Sequence, residues 1–312
     1  MHARIEQAAM PHDEAGESFF RELVEHGLII PSQVDGVVGR GARFEEVLNR
    51  FDALVLRSDD GQRAEAPMFP PVIERRILEK LHYLDTFPHL CGSVHSFFGD
   101  PRQALRLATR ARQGERWGEE LEQTDVVLAP AACYPLYPTL AGVLPPQGRL
   151  VTLIGWAYRH EPSREPTRMQ SFRVREIIRV GDPDTVLAWR DAWHVRARDL
   201  LDALGLPIVS EVASDPFFGR GGMMLAQSQK AAKLKFEIQV PIFDAAQPTA
   251  VCSFNLHQDH FGKAFDIRTA DGQVAHSACL GFGMERVVMA LFRHHGMQTD
   301  DWPAAVRALL WP

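Results

Sequence analysis

Apolar and polar positions repeat with two different periods along this chain, and the change of period separates helices from strands. Residues 18–27 (FFRELVEHGL) carry an amphipathic helical pattern, and residues 43–57 (RFEEVLNRFDALVLR) begin helical and turn strand-like at DALVLR. The polar SDDGQRAEAP then reads as a loop. Pro70 and Pro71 predict the start of a helix, PPVIERRILEKL, because the missing N–H of proline costs nothing in a first turn. Residues 101–122 (PRQALRLATRARQGERWGEELE) predict another helix, with Arg102, Arg106, Arg110, Arg112 and Arg116 ahead of a run of acids. Short apolar strands and turns then alternate: VVLAP, GRLVTLIGWAYR, SFRVREIIRVG, LPIVSEV, KLKFEIQVPIF, TAVCSFNL and KAFDIRTADG. A long helix over 183–204 interrupts them, and a last helix over 283–295 follows a glycine pair. Strands succeeding one another without a helix between each pair predict an α+β fold, an antiparallel sheet flanked by helices. There is no internal repeat and no low-complexity tract.

The 312 residues suffice for a well-buried core. Hydrophobic residues at 46% and charged residues at 24% suit a soluble enzyme, and the net charge of -6 argues against a protein held to nucleic acid by its phosphates. The uncharged stretch 126–147 contains Pro130, Pro135, Pro138, Pro145 and Pro146, so it predicts buried strand and loop rather than a membrane span. The N-terminus lacks an apolar signal region, and Cys91, Cys133, Cys252 and Cys279 are scattered without a CxxC. Both features fit a reducing cytoplasm.

Two strings carry chemistry. In the first, Arg159 and Glu161 end one strand, a polar loop (PSREPT) follows, and Arg168-Met169-Gln170-Ser171-Phe172 opens the next. That pattern makes a hairpin with charges at its tip. It resembles the second signature motif of class II aminoacyl-tRNA synthetases. The second string, Gly281-Phe282-Gly283-Met284-Glu285-Arg286, runs from strand into helix and resembles the third motif. The resemblance covers roughly residues 65–295. It implies the class II catalytic core over 65–312, with residues 1–64 as an N-terminal α/β segment packed upon it. It also implies ATP bent across the sheet, its adenine between the Phe172 ring and the Arg286 guanidinium. Glu161 would accept from the adenine amino group, Arg159 would meet the α-phosphate and the attacking carboxylate, and Arg168 would reach the γ-phosphate. Met169 belongs to the same nucleotide set, and Arg159 and Arg286 are the implied catalytic residues. Magnesium would bridge the phosphates.

Within the class, LAPAACYPLY (128–137), AAKLKFEIQVPI (231–242) and SFNLHQDHFGKAFDI (253–267) resemble segments of seryl-type enzymes. The chain departs from them at Cys133, which stands where a glutamate binds the substrate amine, at Gln239 in place of a second acid, and at Ala250 in place of an acid that helps hold metal. An unusual zinc-dependent seryl branch resembles the set Cys133, Glu176 and Cys279. Two thiolates and a carboxylate would hold zinc with one position open for the amine of the substrate. Glu176 and Asn255 are the implied amino-acid contacts. His257-Gln258-Asp259-His260 is a rival metal set, or simply caps a strand end.

The first residues offer no heptad run for a tRNA-binding arm, and little follows the last motif helix. The overall pattern resembles the amino acid:[carrier protein] ligases. That resemblance implies activation of glycine or alanine as an adenylate and transfer to the phosphopantetheine thiol of an acidic carrier protein, with no tRNA and no membrane involved. A compact seryl-type tRNA synthetase and an inactive regulatory paralogue are the alternatives. The arginine-rich 102–116 and residues 220–235 are candidate docking faces for the carrier. A homodimer through residues 70–90 is expected.

Overall fold

The computed structural model describes residues 12–59 and 63–312. Its centre is a six-stranded sheet of β1 (Arg149–Tyr158), β2 (Ser171–Gly181), β3 (Val209–Val212), β4 (Lys235–Val240), β5 (Thr249–Gln258) and β6 (His276–Gly283). The order across the sheet is β1-β2-β6-β5-β4-β3, with every pairing antiparallel. The outer edge of β1 is covered by Glu65, which bridges Val151 in parallel.

Side chains alternate across a strand, so one face of this sheet differs from the other. Ile177, Phe254, Ala278, Leu280 and Phe282 join the main core with the helices Ala42–Arg57, Pro183–Ala203 and Met284–His295. Their neighbours Glu176, Asn255, Cys279 and Gly281 therefore face the other way. That second face is roofed in part by a small antiparallel sheet, in which Glu122–Leu128 lies between Val72–Glu74 and Ser93–Ser96. Residues 129–144 and the helix His260–Phe265 complete a second core there, around Tyr137 and Phe261.

The N-terminal segment shares the main core. Phe51 meets Phe282 edge-on at 5.4 Å, and Phe44 lies 6.1 Å from Phe292. Its helix Ala42–Arg57 corrects the strand expected at DALVLR: Leu54 and Val55 continue the helical spacing of Phe44, Val47, Leu48 and Phe51, and all six are buried. Two helices are shorter than expected. Val72–Glu74 pairs as a strand with residues 126–128 before the helix Arg75–Lys80 begins, so Pro70 and Pro71 precede a strand. The arginine-rich helix spans Pro101–Arg112 under a capping box from Asp100 and Gln103; Gly114, at φ 72°, follows it. The predicted strand KAFDIRTADG begins as the end of the helix His260–Phe265, because Phe261 and Phe265 are spaced for one helical face; only Ile267–Arg268 is strand, and a turn follows. The centrally placed β6 was legible only as the run-in to the last helix. Among the described residues no helix is long and apolar enough to cross a membrane.

Candidate active site

A cavity of about 450 Å³ opens on the polar face of the sheet. Near its outer end β1 stops at Tyr158 and the hairpin returns at Ser171, so the antiparallel pairing of the two strands brings Arg159 and Phe172 together. The Arg159 guanidinium lies over the Phe172 ring, 5.6 Å from its centroid. Arg286, in the first turn after Gly283, donates from Nε to the Thr167 carbonyl at 2.9 Å and from Nη1 to the Ala250 carbonyl at 3.0 Å. Burial, and the charge of Arg159 beside it, pull Arg286 below its ordinary range. A site that disfavours its own cations is one that a polyanion would relieve.

Three of the nucleotide residues thus line the cavity, and three do not. Glu161 follows Arg159 in a tight turn, its N–H 2.7 Å from the Arg159 carbonyl. Arg168 is exposed and donates to Glu165 at 3.0 Å. Met169 turns its thioether into the core, where Arg40 Nη2 meets the sulfur at 3.4 Å, leaving only its main chain for a nucleotide. The cation over the Phe172 ring is Arg159, on a ring face expected to meet adenine.

Glu176 lies four residues beyond Phe172 on β2, about 13 Å further along an extended strand. There Cys133, Glu176 and Cys279 converge, their ligand atoms all within 4.8 Å of one another and all three buried. The sheet register explains the meeting. Asn255 pairs with Cys279 across β5 and β6, and Gly281 with Glu176 across β6 and β2. Cys133 arrives from above on the turn after Glu122–Leu128. That turn sits close because Gly155 of β1 has no Cβ, which would stand 2.7 Å from the Ala132 Cβ. The Ala132 N–H donates to Glu176 Oε1 at 3.1 Å, while Glu176 Oε2 is buried without a hydrogen-bond partner.

Burial pushes the Glu176 carboxyl up to about 7. The hydrogen bond between the two cysteines raises Cys133 well above the thiol range and holds Cys279 well below it. An orphaned carboxylate oxygen beside two sulfurs is the donor set of a divalent transition-metal site, and these residues fit one.

Sequence reading missed two groups. His257, two positions from Asn255 on the same face of β5, points Nε2 at Cys279 Sγ (3.5 Å), while its Nδ1 meets Ser277 (3.1 Å); Asn255 Nδ2 also donates to that sulfur at 3.6 Å. The alternation of β5 was the available signal. The rival set at 257–260 dissolves accordingly: Asp259 pairs with Lys263 at 2.6 Å, and Cys133, Glu176 and Cys279 form the one metal-holding group found among the described residues. The second group is Lys235, buried in the cavity wall and paired with Asp215 at 2.7 Å and Glu237 at 3.1 Å. Burial would raise the Asp215 carboxyl, but Lys235 and Gln229 outweigh it and hold the group low. Gln229 ties the helix Gly219–Ala231 to this pair.

Two relatives from Bradyrhizobium diazoefficiens match nearly the whole chain. Amino acid–[acyl-carrier-protein] ligase 1 is 41% identical over 97% of this chain and 91% of its own length, and ligase 2 is 42% identical over 97% and 88%. The chain belongs to the amino acid–[acyl-carrier-protein] ligase family. As a ligase of that family it is also similar to the type-2 serine–tRNA ligase of Methanococcus aeolicus, at 26% identity over 77% of this chain, but spans only 49% of that protein. No protein-family model matches it. The fold is that of class II synthetases. The Methanopyrus kandleri seryl-tRNA synthetase, solved with a tRNA, superposes with a TM-score of 0.78 at 20% identity, over 99% of the ligase and 62% of the synthetase. The prolyl-tRNA synthetase of Cryptosporidium parvum gives 0.66 at 13% identity, over 89% and 52%.

Proposed function

We propose that this ligase activates a small amino acid, glycine or alanine, with ATP and passes it to the phosphopantetheine thiol of a carrier protein. The observation that carries this reading is one cavity with two arginines, Arg159 and Arg286, and the Phe172 ring at one end and the Cys133, Glu176, Cys279 set at the other. ATP lies at the outer end, with Arg159, Phe172 and Arg286 around it, Glu161 and the Met169 main chain toward the adenine, Arg168 toward the γ-phosphate, and magnesium on the phosphates. Cys133, Glu176 and Cys279 hold zinc, which supplies a Lewis-acid anchor for the free amine. Asn255 and Glu176 orient the amino acid.

The chemistry then falls to the chain. A carboxylate oxygen attacks the α-phosphorus, the new P–O bond forms as the bond to the β-phosphate bridging oxygen breaks, and pyrophosphate leaves. Arg159 and Arg286 stabilise the charge that accumulates on the α-phosphate. The carrier thiol, as thiolate, next attacks the carbonyl carbon, forming a thioester and releasing AMP. The Phe261 ring, held by stacking on the buried Tyr137, walls the cavity near the metal set and favours a small side chain. An acidic carrier would meet a basic face, from the helix Pro101–Arg112 or from the helix Gly219–Ala231, where the side chains of residues 219–221, Arg220 included, lie outside the described residues. The functional unit is a homodimer formed through residues 70–90.

Amino-acid-dependent exchange of pyrophosphate into ATP, screened over the standard amino acids with metal analysis of the same preparation, tests the first half. A response to glycine or alanine that chelation abolishes, with stoichiometric zinc, is expected; active protein free of zinc removes the metal assignment. Acylation of a holo carrier protein but neither its apo form nor tRNA tests the second half.

A further inference from the structure

The N-terminal segment takes no part in the chemistry above, yet it grips the nucleotide hairpin at both of its flanks. The turn at 35–36 accepts two hydrogen bonds from Gln170: its N–H to the Gly36 carbonyl at 2.8 Å, and Nε2 to the Asp35 carbonyl at 2.8 Å. Gly36 has φ 75°, and a Cβ there would stand 3.1 Å from the Arg168 carbonyl, so the turn lies directly against the hairpin. A few residues on, Arg40 Nη2 donates to the Ser171 carbonyl at 3.1 Å, and its Nε lies 3.1 Å from Glu285. Glu45 takes both Arg173 Nη atoms at 2.6 Å.

Glu285 is fully buried and receives the Arg173 main-chain N–H at 2.8 Å and its Nε at 3.0 Å. Arg40 and Arg173 flank the Trp156 ring, each 5.2 Å from its centroid. Arg173 follows Phe172, and Glu285 precedes Arg286. An ion pair on the far side of the sheet therefore fixes the spacing of the two residues that face the nucleotide. Arg40, Arg173, Glu45 and Glu285 are paired with one another, so none can relax away cheaply.

We propose that Arg40 and Glu45 are positioning residues for ATP, and that residues 35–45 brace the hairpin and the start of the last helix into one nucleotide-binding geometry. The proposal rests on the reading that ATP binds between Arg159, Phe172 and Arg286. Its test uses the full chain carrying Glu45→Gln, which keeps the shape of a partly exposed side chain and removes its charge, and Arg40→Lys as a second variant. A misplacement of about 1 Å at a reacting site can cost about a hundredfold, and a smaller one less, so KM for ATP should rise about tenfold in pyrophosphate exchange. The amino-acid KM and the bound metal should stay as in the parent chain, a split that a general loss of folding would not give. Hydrogen exchange at amides 168–173, which needs no turnover, should quicken in both variants. Unchanged protection there overturns the brace even if the parent chain forms no adenylate, and an unchanged KM for ATP in an active chain overturns it as well. A parent chain that is inactive while the variants lose protection would count against the ATP reading and leave the brace standing.

Discussion

At the outer end of the cavity, Arg159 and Phe172 come from one hairpin, and Arg286 from a helix start pinned to that hairpin by Thr167. At the inner end, Cys133, Glu176 and Cys279 come from a turn and two strands that meet only in the finished sheet. The first group is local and redundant: on the proposed reading its cations would share one polyanion, and losing one would leave the other. The second is global and sparse, with three donors for one ion. Damage at the outer end should therefore grade activity, whereas damage at the inner end should remove it.

The largest effect belongs to the inner end. Cys279→Ala should abolish metal binding and lower amino-acid-dependent exchange by about a thousandfold or more, beyond the 10–100-fold typical of an outer partner; metal content and exchange rate on the same sample check both. Retained metal with normal exchange would erase the contrast. Arg286→Ala should lower exchange by roughly 10²–10³-fold, the usual cost of a donor aimed at developing charge, while metal stays bound. A simultaneous loss of metal would show the two ends to be one unit.

His257→Ala sharpens the comparison, because it removes an N–H from the Cys279 sulfur without removing a ligand. Metal affinity measured by chelator competition should weaken by about 10–100-fold, with exchange restored at saturating metal. The smallest effect is that of pH on metal uptake. With Glu176 raised to about 7 and Cys133 raised as well, these ligands hold protons that metal binding would have to expel. Apparent affinity should therefore fall as pH drops below about 7, by about tenfold per unit for each proton released, and proton release on titration with metal measures the count. Affinity that is flat with pH would mean the ligands are already ionised.

The same contrast explains what the sequence made legible. The hairpin and the Gly-x-Gly helix start each lie in one short string, so resemblance to a local motif sufficed to single out Arg159, Phe172 and Arg286, which the structure brings to one cavity. Cys133 and Cys279 carry no local signature, and only resemblance to a family joined them. The roles of His257 and Lys235 were missed because they come from residues distant in sequence: one faces a sulfur on β6, the other an acid in the segment after β3. The strand expected at DALVLR failed for a related reason, since a brief alternation cannot outweigh a helical period extending over the whole segment. Met169 was assigned from its place in a motif, and its side chain follows the core instead.

Gly155 gives the inner end a hidden tolerance limit. The turn that carries Cys133 rests on that glycine with no carbon to spare between the two backbones. A single methyl group planted there would act as a shim under the turn, tilting the sulfur away from its two companions without touching any of them. The convergence of the three side chains is thus written partly in an omitted atom, and a survey of chemically reactive positions alone would pass over it.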